Sequence, residues 1–373
     1  MKRISSFNIL RVIFALGVLL YHTYWNFGCT YGEINNFISQ STFYMTGFFI
    51  LSGFSIGYSQ WNVDFFGDFE TIKKYWYKRF WGIYPTYILV FLVFYVLQRT
   101  NSTVFQDFYV MPFQLTLTFG YEFFGHLINW GAWFFSLLFF CYICSPFLIY
   151  IVKSIAKSTL YIILGLFVVF LALAAFWPVM TYASLAIRGS EFFVGIILAR
   201  IYLDYSSLKK NRFSSITMIV VFLMLMISTF IIINYLHGFI LKREGNHTWM
   251  AGFNVIAGSI IILWCSFCEG KVIEFINNNI IIRIVAKYSM EIWVGTFFSS
   301  YFMATFFWDL FTGIKRILFS FGLTFACAVG LAIYRYLFNK LFYDNKRKNC
   351  FYIFTVVTAY FLLFAKAFWF LKI

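Results

Sequence analysis

The side chains of this chain that can do chemistry begin in its first apolar run, which carries Arg11 and His22. An ionisable group inside a membrane-length run is costly, so its presence points to function by default. On a helix, the 11-residue spacing is close to three turns, which puts both residues on one face about 16 Å apart. A neutral imidazole takes up a proton near neutral pH, and a guanidinium holds an anion. The bland alternative is that Arg11 reaches the inner headgroups and His22 hydrogen-bonds a neighbouring helix.

Other polar residues give weaker signals. Glu122 and His126 lie four apart in an outer stretch near the expected depth of His22, as candidates for an acceptor side or as a wet interfacial pair. Arg188 with Glu191, and Lys287 with Glu291, have helical pairing distances and read as structural ion pairs. Gly53 and Gly57 fit a small-residue helix contact. His237 and His247 share a short outer loop and suggest nothing. The seven cysteines are an odd number, and the spacings Cys141/Cys144 and Cys265/Cys268 lack further ligands nearby, so no metal is expected. The chain holds no phosphate-loop lysine motif, no H-E-x-x-H, no G-x-S-x-G and no Gly-rich dinucleotide fingerprint.

The elements that must position these residues are membrane helices. Of 373 residues, 62% are hydrophobic and 12% charged, with 54 Phe, 4 Pro and a mean hydropathy of +0.80. That composition excludes a soluble globular domain, a disordered chain and a disulfide framework. About 20 apolar residues cross a bilayer. On that ruler, spans are expected near 7–27, 38–58, 83–98, 132–152, 159–178, 183–203, 213–235, 249–267, 286–307, 317–337 and 351–371, an all-α polytopic architecture of about 10–11 transmembrane helices. The first follows Met1-Lys2-Arg3, exceeds a signal-peptide core and lacks a small-x-small cleavage site, so it is expected to remain as a helix.

The formal net charge of +15 comes in short clusters between apolar runs, a pattern that suits anionic headgroups rather than nucleic acid. With the N-terminus inside, Lys and Arg on inner segments outnumber those on outer segments roughly threefold, which is the asymmetry of a cytoplasmic N-terminus. The inner stretch 59–82 then carries Lys73, Lys74, Lys78 and Arg79. The outer stretch 99–131 is aromatic and half polar, and a segment near 108–125 is expected to be re-entrant or interfacial. No loop is long enough for a separate soluble domain, so residues 1–373 read as one integral membrane unit.

Several short motifs now resemble the membrane-bound acyltransferase 3 family, bacterial O-acyltransferases that decorate sugars. Phe7-Asn8-Ile9-Leu10-Arg11 followed by Tyr21-His22 is similar to that family's first helix, whose Arg and His are its functional pair. Gly47-Phe48-Phe49-Ile50-Leu51-Ser52-Gly53-Phe54 resembles its second helix, and Lys78-Arg79 with Ile83-Tyr84-Pro85 its basic motif before the third. Trp133 with Tyr142 and Pro146, Glu191-Phe192 with Gly195 and Ala199, and Lys287-Tyr288-Ser289 follow in the family's order, so the likeness covers about residues 7–337. The span 351–371 exceeds the usual ten. Gly82 stands where many members carry a second Arg, Leu138 where one branch has Glu, and Thr296 where a His is common.

The resemblance implies transfer of an acyl group, most often acetyl, from cytoplasmic acyl-CoA to a glycan hydroxyl at a bacterial cytoplasmic membrane. It implies His22 as general base with Arg11 as its partner, and Arg79, Lys78 and Lys74 as cations for the phosphates of CoA. The partners expected are a glycan or lipid-linked saccharide and membrane lipids, with no nucleic acid, no metal and no defined oligomeric state. Two rival classes stay open: a flippase for a lipid-linked glycan, with Arg11 and Glu191 lining a polar path, and a catalytically degenerate sensor of the same fold.

Overall fold

A computed structural model of the chain describes residues 4–39, 41–97, 104–120, 132–174, 183–206, 215–240, 251–268 and 270–371. Among the described residues there is no strand, and the chain is all-α. Its helices are α1 (Phe7–Phe27), α2 (Asn35–Ile38), α3 (Ser41–Ser59), α4 (Phe69–Leu97), α5 (Val104–Thr116), α6 (Trp133–Ser154), α7 (Lys157–Ala174), α8 (Leu185–Ser206), α9 (Ser215–Ile240), α10 (Ala251–Ser266), α11 (Lys271–Asn278), α12 (Ile280–Lys287), α13 (Ser289–Phe302), α14 (Gly313–Leu341) and α15 (Asn345–Leu371).

Each expected span overlaps a helix. Among the described residues, α1, α4, α6, α9, α14 and α15 are each long and apolar enough to cross a bilayer unaided. Two of the others fall short for identifiable reasons. α8 carries Arg188, Glu191, Arg200 and Asp204, and α13 is only 14 residues long before a π-helical turn at Met303–Phe307 continues it.

Two boundaries differ from the sequence reading. The third span starts at Phe69 rather than near 83, because Ile72, Tyr75 and Ile83 supply a buried helical face while Lys73, Lys74 and Lys78 face outward. The ninth breaks at Tyr288, so Lys287 ends α12 and Glu291 lies in the first turn of α13. Lys287 lies over the Tyr288 ring at 4.9 Å, and Glu291 is fully buried.

The chain forms two compact units, one of Met1–Asp64 with Cys144–Ala328 and one of Phe65–Ile143 with Val329–Ile373. In the first, α3 and α8 make the closest helix pair, and their glycines explain why. A Cβ on Gly53 would run into the carbonyl oxygen of Phe192, and one on Gly195 into the carbonyl oxygen of Ile50. Gly57 meets Ala199 one turn further on. The two small-xxx-small stripes therefore face each other and let the backbones touch.

α1 packs against α3, α12 and α13. Its face of Leu10, Phe14 and Val18 is buried, and Ser6 ties its start to the Cys265 carbonyl of α10 at 2.5 Å. Gly28 ends α1 in the left-handed region at φ 61°, which lets the Cys29 N–H close back on the Thr23 carbonyl at 3.1 Å. Beyond that cap the Tyr31 hydroxyl meets the buried Thr23 hydroxyl at 2.5 Å, and burial pushes Tyr31 up to about 12, so it stays an uncharged partner.

In the second unit, α4, α5 and α15 share a polar core. Lys366 of α15 pairs with the buried Asp107 of α5, and the Tyr95 hydroxyl of α4 donates to the same carboxylate at 3.3 Å. That pairing explains how a lysine is held within the last apolar helix.

Candidate active site

His22 lies in the last two turns of α1, half-buried, between aromatic neighbours. Its ring meets Phe297 of α13 edge to face with centroids 5.1 Å apart, and Tyr21 at 5.3 Å. Its Nδ1 lies 3.2 Å from the Asn26 amide nitrogen, one turn along the same helix. The same nitrogen donates to Ser300 Oγ on α13 at 3.0 Å, and the Ser300 hydroxyl donates to the Thr296 carbonyl at 2.5 Å. The ring is thus oriented from its Nδ1 edge, which directs Nε2 away from the relay. An imidazole held at one nitrogen leaves the other to meet a substrate group, as donor or acceptor according to its tautomer.

Arg11 is on the same helix, half-buried, and donates to Ser55 Oγ of α3 at 3.4 Å. It and His22 stay about three turns apart, so they do not touch and lie at different heights along the helix.

Arg188 and Glu191 form the ion pair their spacing suggests. The guanidinium meets the two carboxylate oxygens at 2.9 and 2.7 Å, both residues are buried, and Thr46 of α3 donates to Glu191 at 2.7 Å.

The three basic candidates lie on the opening turns of α4, in the second unit. Lys74 and Lys78 are exposed and one turn apart. Arg79 is held between the rings of Tyr75 and Tyr142, at 5.0 and 5.4 Å from their centroids, and its buried Nε finds no acceptor among the described residues. A guanidinium braced by two rings, with N–H capacity to spare, suits an anion. One turn on, Gly82 leaves open space where a side chain would stand, and Arg335 of α14 donates to its carbonyl at 3.3 Å. No spacing along the chain announces that contact, because Arg335 lies on another helix. Glu122 and His126 lie outside the described residues.

A family model described as an acyltransferase domain matches residues 4–335. The chain belongs to the acyltransferase 3 family. A search of the curated proteins gives no match, and neither does one of the solved structures. This acyltransferase is therefore a multi-pass membrane protein whose matched region holds α1 through most of α14 and stops short of α15.

The sequence points to His22, Arg11 and Arg79 as candidates, and the structure adds Asn26, Ser300 and Arg335 as residues in contact with the candidate regions. Asn26 carried a local signal, a polar amide one turn past the histidine on its own helix face. Ser300 and Arg335 carried none, because their contacts join residues 274 and 253 positions apart.

Proposed function

We propose that this membrane acyltransferase moves an acetyl group from cytoplasmic acyl-CoA onto a hydroxyl of a cell-surface or lipid-linked glycan, with His22 as general base. The observation that carries this reading is the half-buried His22, oriented through Nδ1, on the first helix of a chain in this family. Nε2 takes the proton of the acceptor hydroxyl, whose oxygen bonds to the acyl carbon. The carbon–sulfur bond then breaks, and the thiol leaves with the proton from Nε2.

Arg79, Lys78 and Lys74, with Arg335, hold the phosphates of the donor by charge-assisted hydrogen bonds. The excess of Lys and Arg on the segments between the even and odd spans supports a cytoplasmic location for these cations, in a bacterial cytoplasmic membrane. Arg11 supplies positive charge about three turns from His22 on the same helix. Glu122 and His126 are proposed for the acceptor side.

The test is mass spectrometry of the surface polysaccharide from cells with and without the protein. Loss of an ester from an otherwise intact glycan supports transfer. Loss of the glycan itself would favour a flippase and overturn the reading.

A further inference from the structure

The hydrogen bonds around His22 decide more than its orientation. Ser300 has one hydroxyl proton, and it is given to the Thr296 carbonyl at 2.5 Å. Ser300 therefore meets Asn26 as an acceptor, which turns the NH2 end of the Asn26 amide toward it at 3.0 Å. The second proton of that NH2 group points at His22 Nδ1, 3.2 Å away. A ring nitrogen that accepts a hydrogen bond carries no proton, so neutral His22 keeps its proton on Nε2 in this arrangement. Nε2 is then a donor, suited to a carbonyl oxygen rather than to a hydroxyl.

Turning the Asn26 amide end over end reverses the relay within the same space. Oδ1 then accepts from Nδ1–H and from the Ser300 hydroxyl, which swings off Thr296, whose carbonyl stays within the hydrogen-bonded turns of α13. Neutral His22 now presents a lone pair at Nε2. The ring proton passes between the two nitrogens by exchange with a water molecule, and no helix has to shift.

We propose that Asn26, steered by Ser300, is the positioning residue that sets the tautomer of His22, and that an acceptor hydroxyl arriving at Nε2 selects the base-competent form. This rests on the reading of His22 as general base and adds the device that makes its Nε2 available. The hydroxyl proton then moves to Nε2 while Nδ1–H stays bonded to Asn26 Oδ1. When the carbon–sulfur bond breaks, the departing sulfur takes the proton from Nε2, and the neutral ring is restored.

The experiment compares Asn26→Leu with Asn26→Asp in the full-length protein. Asp offers only acceptors, so it holds the Nδ1–H form without the amide's choice, whereas Leu holds neither. Membranes bearing the protein and its endogenous glycans are given labelled acetyl-CoA, and maximal rate and half-saturation are measured at matched protein abundance. Asn26→Leu should lose about tenfold or more in maximal rate with half-saturation for acetyl-CoA unchanged, and Asn26→Asp should recover most of it.

Nitrogen-15 spectra of histidine-labelled protein in lipid nanodiscs, with His22 assigned by its loss in His22→Gln, should show a protonated Nε2 in the wild type. In Asn26→Asp they should show a protonated Nδ1. A wild-type rate in Asn26→Leu, equal losses in the Leu and Asp variants, or the same tautomer in wild type and Asn26→Asp would overturn the proposal. An active His22→Gln would instead bring down the base reading itself, so the two failures are distinct.

Discussion

Replacing Arg188 by Leu tests whether the buried charges of α8 hold the fold or serve a passage. Arg188 and Glu191 are 2% and 0% exposed, and their oxygens and nitrogens lie 2.7–2.9 Å apart, so removing the guanidinium strands a carboxylate that water does not reach. Breaking such a pair costs about 3–5 kcal/mol, roughly two to three and a half decades in the folded fraction. Replacing both by Leu removes both charges, and the double variant should lie close to wild type or above it. Thr46 then keeps only its own hydroxyl to satisfy, worth about 1–3 kcal/mol if it finds no partner. The assay is unfolding of the detergent-solubilised protein by graded SDS, read for wild type, both single variants and the double. A non-additive cycle, with the double more stable than either single, is expected. Additive losses, or Arg188→Leu unfolding like wild type while acylation disappears, would refute the structural account and favour charges that line a path.

Neutralising the cations of α4 bears on the donor. Arg79→Ala should weaken binding of coenzyme A about tenfold, or roughly 1.4 kcal/mol, and unchanged affinity with Lys74, Lys78 and Arg79 all replaced by Gln would count against the donor site. Gly53→Leu should prevent accumulation of folded protein in the membrane, because its side chain meets the Phe192 carbonyl, and normal abundance with normal activity would contradict the close α3–α8 contact. Lys366→Met should destabilise the second unit by about 3–5 kcal/mol by leaving Asp107 buried without its cation, with Lys366→Met, Asp107→Leu recovering most of the loss. Equal SDS resistance of wild type and Lys366→Met would show that α15 is not held by that pair.

How much of this was legible depended on whether the signal ran along the chain. The apolar runs announced the helices because a bilayer demands about 20 such residues, and Arg188 with Glu191 announced their pair because residues three apart share a helix face. The early start of α4 was hidden because Lys73, Lys74, Lys78 and Arg79 lower its hydropathy, although Ile72, Tyr75 and Ile83 recur at helical spacing. The break at Tyr288 was hidden because Lys287 and Glu291, four apart, read as neighbours on one continuous helix. At the site, His22 and Arg11 stood out as ionisable groups within an apolar run. Ser300 and Arg335, which contact Asn26 and Gly82, are ordinary helix residues until folding brings α13 to α1 and α14 to α4.

The account stands most directly on His22→Gln, which keeps a hydrogen-bonding side chain of similar reach but cannot take a proton. Acylation of the surface glycan, measured by mass spectrometry against the amount of folded protein in the membrane, should fall by about 10²–10⁴ while abundance stays normal. A normally abundant His22→Gln protein that acylates near the wild-type rate would contradict the claim and leave His22 as a packing residue between α1 and α13.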